Sequence, residues 1–296
     1  MENKECLYNE AIKMIEESDY LVAYNNLRRC GKYKNSKELL GLFKVICDKC
    51  TCFTYDAEGN IKFKSEYYYD ENGNETLYVS YDADGKIEYK ETHKYEYDEN
   101  RNTTLFVCYD EDGNEDCRYR YEYDKNGNRT LVTRYDADEN TDNSKRRKIP
   151  VERYEFKYDE CDNVMLEVGY DANGNIINKI TYEYDENGNK ILATITSKRR
   201  KSNYNYEYDQ NGNCILESWY DSEGKIKSKT EYKYDENGNK TLEVSYDESG
   251  RVTAETKRKY DHLGNVIIWY GTDGGKDSKV VNEYINPRVI YKPKNK

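Results

Sequence analysis

The chain has 296 residues, 58 of them Asp or Glu and 47 Lys or Arg, for a net charge of −11. That acidity disfavours nonspecific attachment to nucleic acid or to an anionic membrane surface. The 34 Tyr, set against 5 Phe and 2 Trp, exclude a disordered acidic chain, because a buriable ring that ends in a hydroxyl belongs to packed structure.

The opening segment, MENKECLYNE, is charged and has no apolar run of a signal peptide, and no stretch approaches the ~18 consecutive apolar residues of a membrane span. The nine Cys, odd in number and irregular in spacing, read as reduced thiols, so a cytoplasmic location without membrane contact is expected. In residues 1–51, Leu7, Ala11, Met14 and Ile15 share one helical face. Ser18 and Asp19 suit a break and a new N-cap, and Gly31 suits a helix C-terminus. Asn35 to Glu38 form a candidate capping box, followed by Leu39, Phe43, Ile46 and Cys47 at helical spacing. Three short helices are predicted, as a cap that hides an apolar face and blocks a sheet edge. The stretch Gly31 to Ser36 resembles the inter-helix turn of degenerate tetratricopeptide-like helices.

From Cys52 onward the dipeptide Tyr-Asp sets the pattern. It occurs fifteen times, from Tyr55-Asp56 to Tyr260-Asp261, and in the regular stretches the gaps alternate between 12 and 14 residues, a true period of 26. Such a period marks a repeat architecture. In one copy Leu242, Val244 and Tyr246 alternate with Thr241, Glu243 and Ser245, the period of two that defines a strand. The following strand places Val252, Ala254 and Tyr260 on one face, and its sister copies place Tyr pairs there: Tyr95 and Tyr97, Tyr121 and Tyr123, Tyr232 and Tyr234. Between strands comes Asp-x-Asn-Gly or Asp-x-x-Gly. Asp can bond the backbone two residues on, and Gly supplies the positive φ of a type I turn that closes with a bulge.

Turn counting predicts a mainly β fold, an antiparallel β-meander of about 16–17 strands built from 26-residue repeats. One Tyr-lined greasy face and one charged face are expected. Some fifty helical residues cannot cover so long a sheet, so it should coil into a shell, barrel or superhelix. Nearly uniform strand spacing lacks the four-strand superperiod of propeller blades. The expected organisation is a helical cap over 1–51, a repeat domain over 52–275, and a degenerate strand with a basic tail over 276–296.

Tyr260-Asp261-His262-Leu263-Gly264-Asn265 and Tyr246-Asp247-Glu248-Ser249-Gly250-Arg251 resemble the YD repeat of RHS/YD-repeat proteins, and the resemblance runs over roughly residues 52–275. In that family the repeats form a spiralling β-sheet shell, often around the toxic C-terminal domain of a secreted polymorphic toxin. This chain lacks the Asp-Pro-x-Gly-Leu type motif that ends the shell in toxin-bearing members, and lacks room for a toxin domain after the repeats. The resemblance therefore implies the shell and not the toxin activity. It suggests a bacterial conflict system, with the chain as an immunity or inhibitor component.

The repeat breaks twice, and both breaks contain one pentapeptide: Ser144-Lys145-Arg146-Arg147-Lys148 and Ser197-Lys198-Arg199-Arg200-Lys201. Alternating turns put both on one sheet edge, four strands or about 19 Å apart if the sheet were flat. Such tetracationic loops on an acidic chain concentrate positive potential, and Arg brings forked donors suited to carboxylate and phosphate. The partner expected first is a protein with an acidic surface. Neither loop carries an aromatic for base stacking, although Tyr204 and Tyr206 follow the second, so nucleic acid or a phosphorylated ligand comes next. A glycan-binding Tyr-rich surface is a third reading.

Other motifs are discounted. The acidic turns offer too few oxygens for calcium. Cys47, Cys50 and Cys52 form one knuckle where zinc wants two, with Cys6 or Cys30 as a possible fourth ligand. His93, on a long strand, and His262, in a turn, have no nucleophile partner visible in the sequence, and no nucleotide, hydrolase or metalloprotease motif occurs. No catalytic, cofactor or metal-ligating residue is assigned, and the reading is a non-enzymatic interaction scaffold.

Overall fold

The computed structural model describes residues 4–30, 34–56, 58–137, 148–198, 200–273, 276–285 and 287–291. Its smallest unit is the turn. At Asp70 the carboxylate Oδ1 accepts from the N–H groups of Asn72 (2.9 Å) and Asn74 (2.8 Å), and Oδ2 accepts from the Asn74 amide (3.3 Å). The Asp70 N–H donates to Asn74 O and the Gly73 N–H to Asp70 O, both at 2.9 Å. The same set recurs at Asp110, Asp124, Asp171, Asp185, Asp209 and Asp235. The fourth position has positive φ, +79° at Gly113 for example, and Arg101 (+65°) and Asp162 (+62°) hold it without being Gly.

These turns join antiparallel strands. The first are β1 (Phe43–Ile46), β2 (Lys49–Tyr55), β3 (Ile61–Tyr69), β4 (Glu75–Tyr81), β5 (Ile87–Tyr97), β6 (Thr103–Tyr109) and β7 (Glu115–Tyr123). Then follow β8 (Arg129–Ala137), β9 (Lys148–Tyr158), β10 (Val164–Asp171), β11 (Ile176–Tyr184), β12 (Lys190–Ser197), β13 (Lys201–Tyr208) and β14 (Cys214–Tyr220). The last are β15 (Ile226–Tyr234), β16 (Lys240–Asp247), β17 (Val252–Tyr260), β18 (Val266–Asp273), β19 (Lys276–Ile285) and β20 (Arg288–Tyr291). From β2 to β19 the hydrogen-bonded order is that of the sequence, and β19 pairs with β2, so the eighteen strands close as an antiparallel barrel. Of the three forms expected for the coiled meander, this is the barrel, with one or two strands more than turn counting suggests.

The contacts divide the chain into two units, Met1–Tyr89 with Glu207–Glu217 and Ser228–Lys296, and Lys90–Tyr206 with Ser218–Lys227. In the first, helices α1 (Lys4–Glu16), α2 (Tyr20–Cys30) and α3 (Ser36–Leu40) precede the strands. Ser18 (φ +62°) makes the predicted break, and Asp19 Oδ1 accepts from the Val22 N–H at 3.3 Å as the predicted N-cap. Ala11, Ala23, Leu27 and Phe43 form their buried core, with Tyr24 and Phe43 ring centroids 6.1 Å apart. The helical segment meets the hairpin turns: Lys4 Nζ donates to Asn211 Oδ1 (2.8 Å), Arg28 to Asn239 Oδ1, and Lys44 Nζ to Asn72 O (2.8 Å). The helical spacing at 39–47 is misleading. Phe43 and Ile46 lie in β1, which pairs with β20 across the length of the chain, and long-range strand pairing overrides the local pattern there. No helix of the described residues is long and apolar enough to cross a membrane.

The single greasy face is also corrected. The Asp-anchored turns close with a register shift, between Lys233 and Tyr234 for example, where Tyr234 faces Lys240 but Lys233 faces Leu242. A one-residue slip moves every later side chain to the other face. Val244 therefore sits opposite Glu231, and Tyr246 opposite Lys229, while Tyr232 sits opposite Glu243. Both faces are mixed and both are buried at mid-strand: Val107 (3% exposed) and its neighbour Cys108 (5%) point to opposite sides.

The tyrosines accordingly do different work. Tyr246 lies under Lys229 Nζ (4.6 Å to the ring centroid) and donates to Glu231 Oε2 (3.2 Å); Tyr81 with Lys64 and Glu66, and Tyr170 with Arg153 and Glu155, repeat this. Tyr123, Tyr184, Tyr234 and Tyr260 instead donate to the carbonyl of the first residue of the preceding strand, at 2.8, 2.7, 2.7 and 2.5 Å. On the other side run aromatic rungs, Tyr67–Tyr78 in the first unit and Tyr95–Phe106–Tyr119 in the second, with centroids 5.0 to 6.0 Å apart.

Two outcomes are expected in unfolding experiments. Arg101→Gly should raise stability by about 1 kcal/mol, because it removes a left-handed backbone penalty, and Gly113→Ala should lower it by about 1 kcal/mol. Gly73→Ala should cost more than Gly113→Ala, since its added Cβ meets Ile46 whereas that of Gly113 meets nothing within 4 Å; urea midpoints check the order. Glu66 is the second case. Burial pushes its carboxyl up, but hydrogen bonds from Lys64, Lys49, Tyr68 and Tyr81 outweigh this and hold it at about 2. A depressed carboxyl contributes stability that is complete above its unfolded value of 4.5 and is lost as pH falls towards 2. Glu66→Gln should therefore cost about 1–3 kcal/mol at pH 7 and flatten the acid side of the stability–pH curve followed by circular dichroism.

Candidate functional site

The two basic breaks are connections within the second unit. Lys145, Arg146 and Arg147 lie outside the described residues, and Lys148 opens β9. The second break joins β12 to β13, and Arg199 also lies outside the described residues. There the Ser197 N–H donates to Arg200 O at 2.9 Å and the Ser197 hydroxyl to the same oxygen at 3.3 Å, so a serine does what Asp and Gly do elsewhere. Lys198, Arg200 and Lys201 are exposed. Strand pairings from β8 through β13 put the ends of both connections on one edge, with the Asp171 turn between them. Hydrogen bonds from Asn175 and Asn173, followed by the charge of Lys198, hold the Asp171 carboxyl below its usual range, so on this edge a carboxylate turn stands beside the cations of the β12–β13 connection.

The acidic turns direct their carboxylate oxygens at their own backbone, Asp110 Oδ1 receiving two N–H groups and Oδ2 the Asn114 amide. Turn closure thus accounts for their composition. Cys50 is buried and Cys52 half-buried on β2, and Cys47 is buried just before it. Cys30 donates to Lys4 O at 3.7 Å inside the helical segment. Burial, then the neighbouring Cys47 and Cys52, push the Cys50 thiol up to about 12.

A different group of donors does come together. Glu91 and His93 share a face of β5, and strand register sets His93 opposite Cys108 on β6 and Cys108 opposite Cys117 on β7. The Glu91, His93 and Cys108 ligand atoms all lie within 4.8 Å of one another, the one such group of three among the described residues. His93 Nε2 stands 3.4 Å from Glu91 Oε1, and their side chains are 11% and 20% exposed. Cys117 lies directly across from Cys108, and Cys117 first, then burial and Glu91, push the Cys108 thiol up. The His93 ring packs on Phe106 with centroids 5.2 Å apart. Sequence reasoning places His93 on a strand and finds it no partner. The missing signal is the bulge: allowing the shift at Glu96/Tyr97 after the Asp98 turn pairs residue 93 with residue 108.

No family model matches the chain, and no curated protein matches it. Among solved structures, a porin-like protein from Bacteroides uniformis is similar at 14% identity with a TM-score of 0.46, over 80% of this chain and 97% of that one. A TcdB2–TccC3 structure is similar at 15% identity with a TM-score of 0.34, over 81% of this chain. The chain spans only 15% of that protein's length.

Thiol labelling checks the burial. Cys6 and Cys161, both exposed, should react first with a disulfide reagent at pH 8, and Cys30 and Cys50 should stay protected until the fold is opened with denaturant. Labelling followed site by site by mass spectrometry gives the order.

Proposed function

We propose that this chain is a non-enzymatic, cytoplasmic repeat scaffold of YD-repeat type whose work is macromolecular interaction, with an acidic protein surface as partner. The observation that carries this reading is the β12–β13 hairpin. It exposes Lys198, Arg200 and Lys201 at a position where the regular turns carry an Asp carboxylate. The physical consequence is a local positive contact on a chain of net charge −11, which suits steering and register more than raw affinity. Lys145, Arg146, Arg147 and Lys148 repeat the sequence on the same edge by strand order and would supply the second prong. The YD-type resemblance supports a bacterial conflict system as the setting, with the chain as an immunity or inhibitor component.

The test compares wild type with a variant in which residues 145–148 and 198–201 are all Ser, as bait in a bacterial lysate, with and without nuclease. The expected result is an acidic protein held by wild type, lost from the variant, indifferent to nuclease and released as salt rises. Capture that disappears with nuclease would move the reading to a phosphate backbone. Identical capture by both baits would remove the basic edge from the function.

A further inference from the structure

We propose that Glu91, His93, Cys108 and Cys117 form a closed four-ligand site for a zinc-class divalent cation that ties β5, β6 and β7 together. This goes beyond the interaction reading and does not depend on it.

Geometry comes first. In tetrahedral zinc sites the bonds are about 2.0–2.3 Å, so ligand atoms lie about 3.3–3.8 Å apart. The Glu91, His93 and Cys108 donors already fall within 4.8 Å of one another, and small side-chain rotations close the difference. Cys117 lies outside that group of three but is the direct cross-strand partner of Cys108, and a rotation of its side chain would bring its sulfur in as the fourth donor. Directly opposed residues share a face with Cβ atoms about 4.5–5.5 Å apart. The four donors thus come from three hydrogen-bonded strands, whose register fixes their backbone positions relative to one another.

Donor chemistry narrows the ion. One imidazole nitrogen, two sulfurs and one carboxylate oxygen suit zinc and its neighbours, whereas calcium and magnesium require an oxygen shell. All four tetrahedral positions are taken by protein, which marks a structural site and leaves no place for a reacting water. Binding would release the two thiol protons to solvent and use the neutral imidazole. Two thiolates, one carboxylate and a divalent cation leave a net charge of −1. Asp136 sits opposite Cys117 and Arg134 opposite Tyr119 on the same face, and the Arg134 guanidinium is shared between Asp136 (3.1 Å) and Glu152 (3.8 Å), so it offsets those carboxylates beside the site. Phe106 packs on the His93 ring and covers it on one side, with centroids 5.2 Å apart.

Cobalt is the probe. The full chain, reduced, metal-stripped and kept anaerobic, is titrated with Co2+ while its absorption is recorded. One equivalent should produce the intense visible bands of tetrahedral cobalt and the near-ultraviolet band of thiolate ligation, and Zn2+ should bleach both and raise the thermal midpoint. His93→Ala and Cys117→Ser should lose the spectrum and the zinc-induced midpoint shift, and Cys50→Ser should keep both. Circular dichroism confirms that each variant is folded; if His93→Ala is not, Cys117→Ser and Glu91→Gln carry the comparison. A wild type without the tetrahedral spectrum would overturn the proposal. So would a spectrum that survives Cys117→Ser and vanishes in Cys50→Ser. A reduced protein that ignores Co2+ and in air closes a Cys108–Cys117 disulfide would overturn it as well.

Discussion

The Asp-anchored turn is the constraint on which the rest of this structure depends. One carboxylate satisfies two backbone N–H groups and one amide, and the residue in the left-handed region lets the chain reverse within five positions. Such turns are local, so each hairpin can form without waiting for distant contacts, and short-range closure carries little entropy cost. Repetition of the same few hydrogen bonds explains why Asp, Asn and Gly are so frequent and why acidity rises with repeat number.

The bulge that comes with the turn has a larger effect than the turn itself. It exchanges the faces of successive strands, so apolar side chains of short strands meet Lys, Arg and Glu of long ones. Burial on both sides then requires side chains that are apolar in the middle and polar at the tip. Tyrosine is such a side chain, and so is the stem of lysine. The Lys229–Tyr246–Glu231 arrangement satisfies a ring, a hydroxyl, an ammonium and a carboxylate at once. Each contact is worth about 0.5–1 kcal/mol, and repetition makes the sum large. A core of leucine and valine alone would suit a sheet with one dry face, which this one is not.

The chain departs from its repeat in two places. The β12–β13 hairpin replaces carboxylate-anchored closure with a serine and exposed cations. The Glu91, His93, Cys108 and Cys117 group occupies ordinary strand positions, yet fills them with residue types the sister strands do not repeat: Ser245 and Gly169 stand where Cys108 does. The two departures differ in kind. One lies on a sheet edge with its cations exposed; the other lies across three paired strands on one sheet face, partly buried.

Sequence alone determined what depends on local chemistry: the period, the turns with their bulges, the antiparallel order, the break at Ser18 and the N-cap at Asp19. It also located both basic breaks, because charge runs are visible without coordinates. Only tertiary structure decided the rest. That Phe43 to Ile46 form a strand depends on Arg288 to Tyr291 arriving beside them, a contact no local propensity encodes. That the meander closes depends on β19 finding β2, which is a matter of accumulated twist across all the strands between. That His93 meets Cys108 and Cys117 depends on one-residue register shifts at two turns, and period-two patterning counted along a single strand cannot see across them.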